Sequence, residues 1–382
     1  MCNCGQMQNS SKTNREKHIE TMRKVIEEEF PEFADSPAVK NQHYVPQFYL
    51  RNFSNHPQLK TIYLYRHNQK NSINPSIKST CCMDYTYGED SLLEWAFSTS
   101  ERDASKIIKK IMANPKSHGM AGQEYFTLLE FIVYLHARSI RLIEEHRMLM
   151  RSFGEEIVKP FGITDWRLKF PTEDFPYVMQ LDFFKDNIWS YLRLQPVILI
   201  NKTPLDFVTS DCPVCMYNAA FIKEAFIEYG HSYGAMTSGI QIYLPLSNTL
   251  AIMLFDPEYY DLISKEIAYH ELSEYQVKEL NKIAIYNSRH CVIYGNPNKN
   301  PNIEKLSENL KKKSPEATDS NMVRTLPNRD DIIHSSCFCI KGKANITFLR
   351  QKKRITNMFS VIDDSLHDRL KARVARFKAS DN

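Results

Sequence analysis

NQHYVPQFYLRNFS, residues 41–54, places His43, Tyr44, Gln47, Tyr49, Arg51, Asn52 and Phe53 close together, with one proline and no glycine. His43 is the one side chain here that exchanges a proton near neutral pH. Arg51 stays charged and has the planar fork that grips carboxylate or phosphate. Eight positions separate the two, so only a compact fold brings them to one place. Two readings compete. In one, His43 transfers protons and Arg51 holds an anion against a wall of Tyr44, Phe48, Tyr49 and Phe53. In the other, the aromatics anchor a core and His43 satisfies a backbone carbonyl.

The chain around this stretch has 382 residues, 42% of them hydrophobic and 12% aromatic, enough to bury a large core. No run of 18 apolar residues occurs, and MCNCGQMQNSSKTNREKHIE at the start has no apolar segment of the secretory kind. The expectation is a soluble protein without a membrane partner, located in the cytoplasm. Nine scattered cysteines fit reduced thiols better than a disulfide framework, and Cys212-x-x-Cys215 lacks the second pair that a structural zinc would use.

Charge is uneven. Residues 301–382 hold 17 Lys+Arg against 10 Asp+Glu, or +7, while residues 1–300 hold 32 against 35, or −3. Such a basic tail is either a solvated face or a contact for a polyanion, and nucleic acid or a nucleotide is the partner it suggests. Three regions follow: a flexible start and charged helix over 1–40, a core domain over 41–299, and a basic extension over 300–382.

Hydrophobic spacing predicts a helix over 13–29, a strand within TIYLYRH (61–67), long helices over 91–112 and 122–152, and another over 175–192. After Pro196 the pattern turns to β: PVILI, DFVTSD, IQIYLPL and TLAIMLF are short strands, with LSN as a hairpin turn between the last two. Residues 257–290 return to helical spacing, RHCVIYG adds a strand, and 296–330 reads as linker. A strand pair near 335–350 and an amphipathic helix near 361–378 complete the chain. The expected fold is α+β, mostly helical, with a small, mainly antiparallel central sheet.

HYVPQFYLRNF, the LLEWAFSTSE helix, FIVYLHARS, FVTSDCPV, YLPLS and LNKIAIYNSRHCVIY occur in an order that resembles domain-of-unknown-function family 4238 (DUF4238), over about residues 41–295. Two positions depart from the pattern: Cys212 where asparagine is common after TSD, and His136 where glutamine is frequent before the arginine. The resemblance implies membership without an activity and says nothing about the basic extension.

The residues themselves suggest chemistry. Glu94 and Glu101 lie two turns apart on one helix face, and Arg138 follows on the next helix. They form either a buried ion pair that fixes helix register or an acidic face with an anion clamp. Thr209, Ser210 and Asp211 stand where an apolar strand stops at Pro213, a usual place for ligand-binding groups and equally for a capped turn. No P-loop, dinucleotide fingerprint, H-E-x-x-H or EF-hand loop is present. The expected function is a metal-dependent phosphodiester hydrolase, nuclease-like or nucleotide-directed. Its catalytic residues are His43, Arg51, Arg138 and Asp211, its substrate contacts Tyr44, Gln47, Thr209 and Ser210, and its Mg²⁺ or Mn²⁺ ligands Glu94, Glu101 and Asp211. The alternative is a non-catalytic module that binds a ligand or nucleic acid in the same pocket. Convergence of His43, Arg51, Glu94, Glu101, Arg138 and Asp211 is the structural expectation.

Overall fold

A computed structural model of the chain describes residues 39–87, 92–116, 122–144, 188–223, 234–264, 268–313, 322–325, 332–335, 342–355 and 364–379, with a few isolated positions between. The helix expected over 13–29 and most of that expected over 175–192 lie outside these residues.

The opening stretch folds as a short strand, β1 (Asn41–His43), and a short helix, α1 (Gln47–Arg51). Pro46 sits at the helix N-cap with φ −59°, a ring-fixed value compatible with entering a helix. Three short strands follow: β2 (Tyr63–Arg66), β3 (Asn71–Ile73) and β4 (Cys82–Asp84). β1 pairs antiparallel with β4, so that His43 stands opposite Cys82.

Helices α2 (Leu92–Ala113) and α3 (Gly122–Ala137) come next. The expected helix over 122–152 does not continue through Arg138. Ser139 N–H bonds to the His136 carbonyl, tightening the last turn, and the Ser139 hydroxyl accepts the Leu142 N–H at 3.5 Å as a new helical turn begins. Arg138 occupies the corner so made. Periodicity ran on past it because apolar residues continue on both sides of the break.

The middle of the chain supplies β5 (Gln195–Asn201), β6 (Thr209–Ser210), β7 (Cys215–Tyr217), the short helix α4 (Ala219–Lys223), β8 (Gln241–Pro245) and β9 (Leu250–Phe255). β10 (Tyr260–Leu262), β11 (Tyr269–Leu272), α5 (Glu274–Asn287) and β12 (Cys291–Tyr294) follow. A five-stranded sheet has the order β11-β5-β9-β8-β7 and is antiparallel except for the β11–β5 pair. This is the expected central sheet, with β8 and β9 joined through Ser247–Thr249. Every residue of β8 and β9 is buried, in keeping with sequences that hold no charged residue and a single amide, Gln241, which bonds Ala219 and Gly239. A four-stranded sheet, β3-β2-β12-β6, takes the remaining core strands. Ser273 and Gln276 form a reciprocal capping box that starts α5.

The last segment holds α6 (Ile303–Lys313), β13 (Met322–Thr325), β14 (Ile332–Ser335), β15 (Leu349–Gln351) and α7 (Asp364–Ala379). The stretch expected as linker over 296–330 therefore contains a helix, and residues 257–273 contain two strands. The expected terminal strand pair is not one: β14 pairs with β13, and β15 pairs with β10. The class is α+β, but "mostly helical" does not hold, since among the described residues fifteen strands make five small sheets. Strands of three or four residues are too short to show an alternation, so they read as connector.

Described parts of the basic extension pack against the core. Phe348 is buried, Ala344 exchanges hydrogen bonds with the Tyr217 hydroxyl, and Phe377 of α7 stacks on Phe126 of α3 at 4.9 Å between ring centres. Among the described residues no helix is long and apolar enough to cross a membrane.

Tyr49 of α1 joins the two larger sheets. Its hydroxyl donates to the Pro245 carbonyl of β8 at 2.7 Å and lies 2.8 Å from Thr209 Oγ1 of β6. A phenol has one proton, so the threonine must donate the second bond. Gly295 keeps the same region closed, since a Cβ there would stand 2.4 Å from the Phe53 carbonyl oxygen. Tyr49→Phe leaves both partners dry and unpaired, and is expected to lower stability by about 1–3 kcal/mol in urea denaturation. A variant as stable as wild type would show that this phenol does not tie the sheets.

Candidate functional site

Along α2, positions 94, 97, 101, 104, 108 and 111 alternate steps of three and four and so share one stripe. Phe97, Ala104, Ile108 and Ile111 of that stripe are buried. Glu94 and Glu101 thus occupy positions where the pattern calls for apolar residues. What they meet is Arg138, whose side chain is only 2% exposed. Arg138 Nη2 lies 2.7 Å from Glu101 Oε1, and the guanidinium stands 4.7 Å from the centre of the Phe97 ring. Phe97 is held edge-on by Tyr87 at 5.1 Å, and the Tyr87 hydroxyl donates to the His43 carbonyl at 3.4 Å.

His43 belongs to the same group. Its backbone N–H is donated to the Glu94 carboxylate, and its ring hydrogen-bonds to the backbone of Ile77 and Lys78. Burial lowers the imidazole pKa, and the charges of Arg138 and Arg51 lower it further, outweighing those backbone bonds. Glu94 moves the other way. Burial, with the Glu101 charge, raises it to about 7 against the pull of Arg138 and the His43 N–H. The site therefore holds a neutral imidazole and a carboxyl poised at neutrality.

Several polar atoms of this group are buried with no hydrogen-bond partner: His43 Nε2, Glu94 Oε2, and Arg138 Nε and Nη1. Buried polar atoms are nearly always satisfied, so unsatisfied atoms on three neighbouring side chains make this group a candidate site.

The remaining expected site residues are engaged elsewhere. Arg51 is exposed and donates to Gln47 Oε1 at 2.9 Å, one turn back on α1, so these two satisfy each other while Arg51 still acts on His43 through its charge. Asp211 is fully buried and accepts the Arg289 N–H at 2.9 Å and the His290 N–H at 2.6 Å, one on each oxygen. Ser210 Oγ accepts the Cys212 N–H and donates to the Cys212 carbonyl, and Thr209 bonds Tyr49. Burial pushes the Tyr44 pKa far up, and Cys81, Asp211, Cys291 and Cys212 nearby add to the shift. His43, Glu94, Glu101 and Arg138 act on one another, with Arg51 acting on His43 through its charge, while both oxygens of Asp211 hold the turn before β12.

Below that turn, Glu144 accepts from Arg289 Nε at 2.6 Å and lies 3.1 Å from His290 Nε2. Burial opposes its charge, yet these bonds draw its pKa down to about 2.

This division bears on the expected Mg²⁺ or Mn²⁺. Glu101 is held by Arg138, both oxygens of Asp211 hold backbone N–H groups, and Glu94 is half-protonated at neutrality. Among the described residues no group of three or more His, Cys, Asp or Glu is arranged to hold a metal ion. Glu94, Glu101 and Asp211 do not fit a divalent cation together. Phe97 lies on the same stripe as the two glutamates, and Tyr87 joins the group only through the fold. The available signal was two glutamates on the apolar stripe of α2.

A family model described as a protein of unknown function (DUF4238) matches residues 41–298. No curated protein and no solved structure matches the chain.

Glu94 leaves a mark on stability. Its folded pKa, about 7, lies above the ordinary 4.5, so between these values the folded state binds more protons than the unfolded state and stability falls as pH rises. Glu94→Gln removes that slope. The variant is expected to gain on the order of 1–3 kcal/mol on wild type at pH 8 relative to pH 5, read from denaturant titrations at the two pH values. Parallel pH dependence in the two proteins would mean that Glu94 titrates normally.

Proposed function

We propose that this chain, which belongs to the DUF4238 family of proteins of unknown function, is a hydrolase of phosphodiesters in nucleic acid or a nucleotide, working by acid–base chemistry at the Arg138 site. The observation that carries the reading is the set of unpartnered atoms on His43, Glu94 and Arg138 around one buried cation. Arg138 Nε and Nη1 are the donors for two phosphoryl oxygens, and a buried guanidinium binds such oxygens more strongly than an exposed one. Neutral His43 takes the proton from an attacking water at Nε2. Protonated Glu94 gives its proton to the leaving oxygen, so water and diester become a phosphomonoester and an alcohol. With Glu94 protonated, the Arg138 and Glu101 charges cancel, and a bound anion meets no adjacent ionised Glu94.

A surface feature supports a polyanionic substrate. Arg369, Arg373 and Arg376 are exposed on α7 at spacings of four and three, which sets them along one face of the helix. A cytoplasmic setting is part of the proposal, in keeping with the free thiols of Cys81, Cys82, Cys212, Cys215 and Cys291. A second reading, a binding module without turnover, draws on the Arg138–Glu101 ion pair, which already gives the cation a partner.

The test is hydrolysis of bis(4-nitrophenyl) phosphate and of labelled oligonucleotides. Turnover is expected to follow a bell in pH, rising as His43 loses its proton below 6.5 and falling as Glu94 loses its own near 7. His43→Ala and Glu94→Gln should each lower the rate by roughly 10²–10⁴ with an unchanged far-ultraviolet spectrum. Replacing Arg369, Arg373 and Arg376 by alanine should flatten the salt dependence of oligonucleotide binding. Binding that depends on Arg138 without turnover at any pH would favour the module, and neither binding nor turnover would end both readings.

A further inference from the structure

Residues 39–87 hold six Lys and Arg against one acid, Asp84, or +5, which leaves 43 of 49 against 44 of 45, or −1, for the rest of the chain. Four pieces of this segment lie side by side. The Lys60 carbonyl accepts the Ile77 N–H at 2.9 Å, the Lys78 carbonyl accepts from Asn41 Nδ2 at 3.4 Å, the Lys40 carbonyl accepts the Tyr85 N–H at 2.8 Å, and Asn41 pairs with Asp84. The exposed Lys60, Lys78 and Lys40 therefore follow one another across a strip, with Leu59 on its first piece and Met83 and Tyr85 on its last. Lys40 lies 3.3 Å from Asp84, and among the described residues Lys60 and Lys78 have no carboxylate partner. Leu59, Met83 and Tyr85 are three of the six large apolar residues exposed among the described residues, at 43%, 36% and 40%. Leu59 and Tyr85 each have φ +52°, in the left-handed region that residues other than glycine rarely adopt, so the backbone is strained where these two side chains meet water. β1, which runs through the strip, carries His43 at its end and so joins the strip to the Arg138 site.

We propose that this strip binds single-stranded nucleic acid, with bases against Leu59, Met83 and Tyr85 and phosphates on Lys40, Lys60 and Lys78; the proposal rests on the phosphodiester reading for the site to which the strand is presented. A basic track that follows the backbone, with apolar and aromatic groups for the base faces, is what binding of a single strand without sequence preference requires. A duplex keeps its base faces stacked inside and offers phosphates and groove edges, so it would leave the apolar groups unused. A lone nucleotide cannot meet Leu59 and Tyr85 together, since they stand on the outer two of four adjacent pieces. An anionic membrane would meet the same charges, but three apolar side chains with lysines between them make no continuous face of the kind that an interfacial helix buries.

The test uses the full chain and the fluorescence anisotropy of labelled oligothymidylate, with a labelled hairpin duplex of equal nucleotide count beside it. Binding is read in the Glu94→Gln background, so that the strand is not cut. The single strand is expected to bind more tightly than the duplex. Tyr85→Gly, which suits a positive φ and so keeps the fold, should weaken binding of the single strand roughly 5–150-fold, the loss of one stacked base, and leave duplex binding as it was. Leu59→Gly should act in the same direction. Replacing Lys60 and Lys78 by glutamine should reduce the slope of log affinity on log salt by about 1.4, near 0.7 for each phosphate of a single strand. None of these changes, made in the wild-type chain, should alter the rate on bis(4-nitrophenyl) phosphate, which is too small to span the strip. Absence of oligonucleotide binding, equal affinity for strand and duplex, or wild-type binding by Tyr85→Gly or by the double lysine variant would overturn the proposal, even in a protein that turns over the small diester. Strip-dependent binding of the strand without turnover of any diester would uphold it and remove the phosphodiester reading instead. Sedimentation with phosphatidylserine–phosphatidylcholine vesicles that needs Tyr85 and the two lysines, without oligonucleotide binding, would assign the strip to a membrane surface and overturn the proposal as well.

Discussion

The Tyr49 hydroxyl is the constraint on which the packing turns. α1 is five residues long and too short to be stable by itself. It is fixed because one phenol reaches β6 of the four-stranded sheet and β8 of the five-stranded sheet at once. Burial of that hydroxyl is tolerable only while both bonds are made, so the distance between the sheets and the seat of α1 are set together. Asn52 Nδ2 to the Leu246 carbonyl and Asn248 Nδ2 to the Phe53 carbonyl add to the same seam. Next to α1, β1 pairs with β4, and the His43 ring lies against Ile77 and Lys78.

The site has the opposite character, since it is costly to keep. Arg138 is taken almost wholly out of water, and one ion pair with Glu101 and one aromatic face offset only part of that penalty. Burial raises the Glu94 pKa to about 7, with the Glu101 charge adding to the shift against the pull of Arg138, so near neutrality the carboxyl is divided between its two forms. A core built for stability alone would put leucine at 94 and 101. Two acids and an arginine there carry a desolvation penalty that leucines would not.

Asp211 shows how the same residue type serves the fold. Burial alone would neutralise it, and the two N–H groups of Arg289 and His290 work against that shift. It closes the turn into β12, and Glu144 braces that turn from below through the side chains of the same two residues. The strand-end position that suggested a ligand group in sequence is equally the position from which a carboxylate caps a neighbouring turn.

By itself the sequence determined the α+β class, the antiparallel β8–β9 hairpin, α2, α5 in part and α7, because each is long enough for its period to show. It also determined the family, through a run of uncommon residues in fixed order, and the opposition of Glu94 and Glu101 to Arg138. Only the tertiary structure decided which charged groups share a site. The corner after Ala137 is a local break inside an apolar run, invisible to periodicity, and it is this break that turns Arg138 inward. Strands of three residues, such as β1, β4 and β15, exist only through partners distant in the chain. The same long-range packing sends Asp211 to the turn before β12, and no local pattern encodes a contact between residues whose meeting depends on the packing of everything between them.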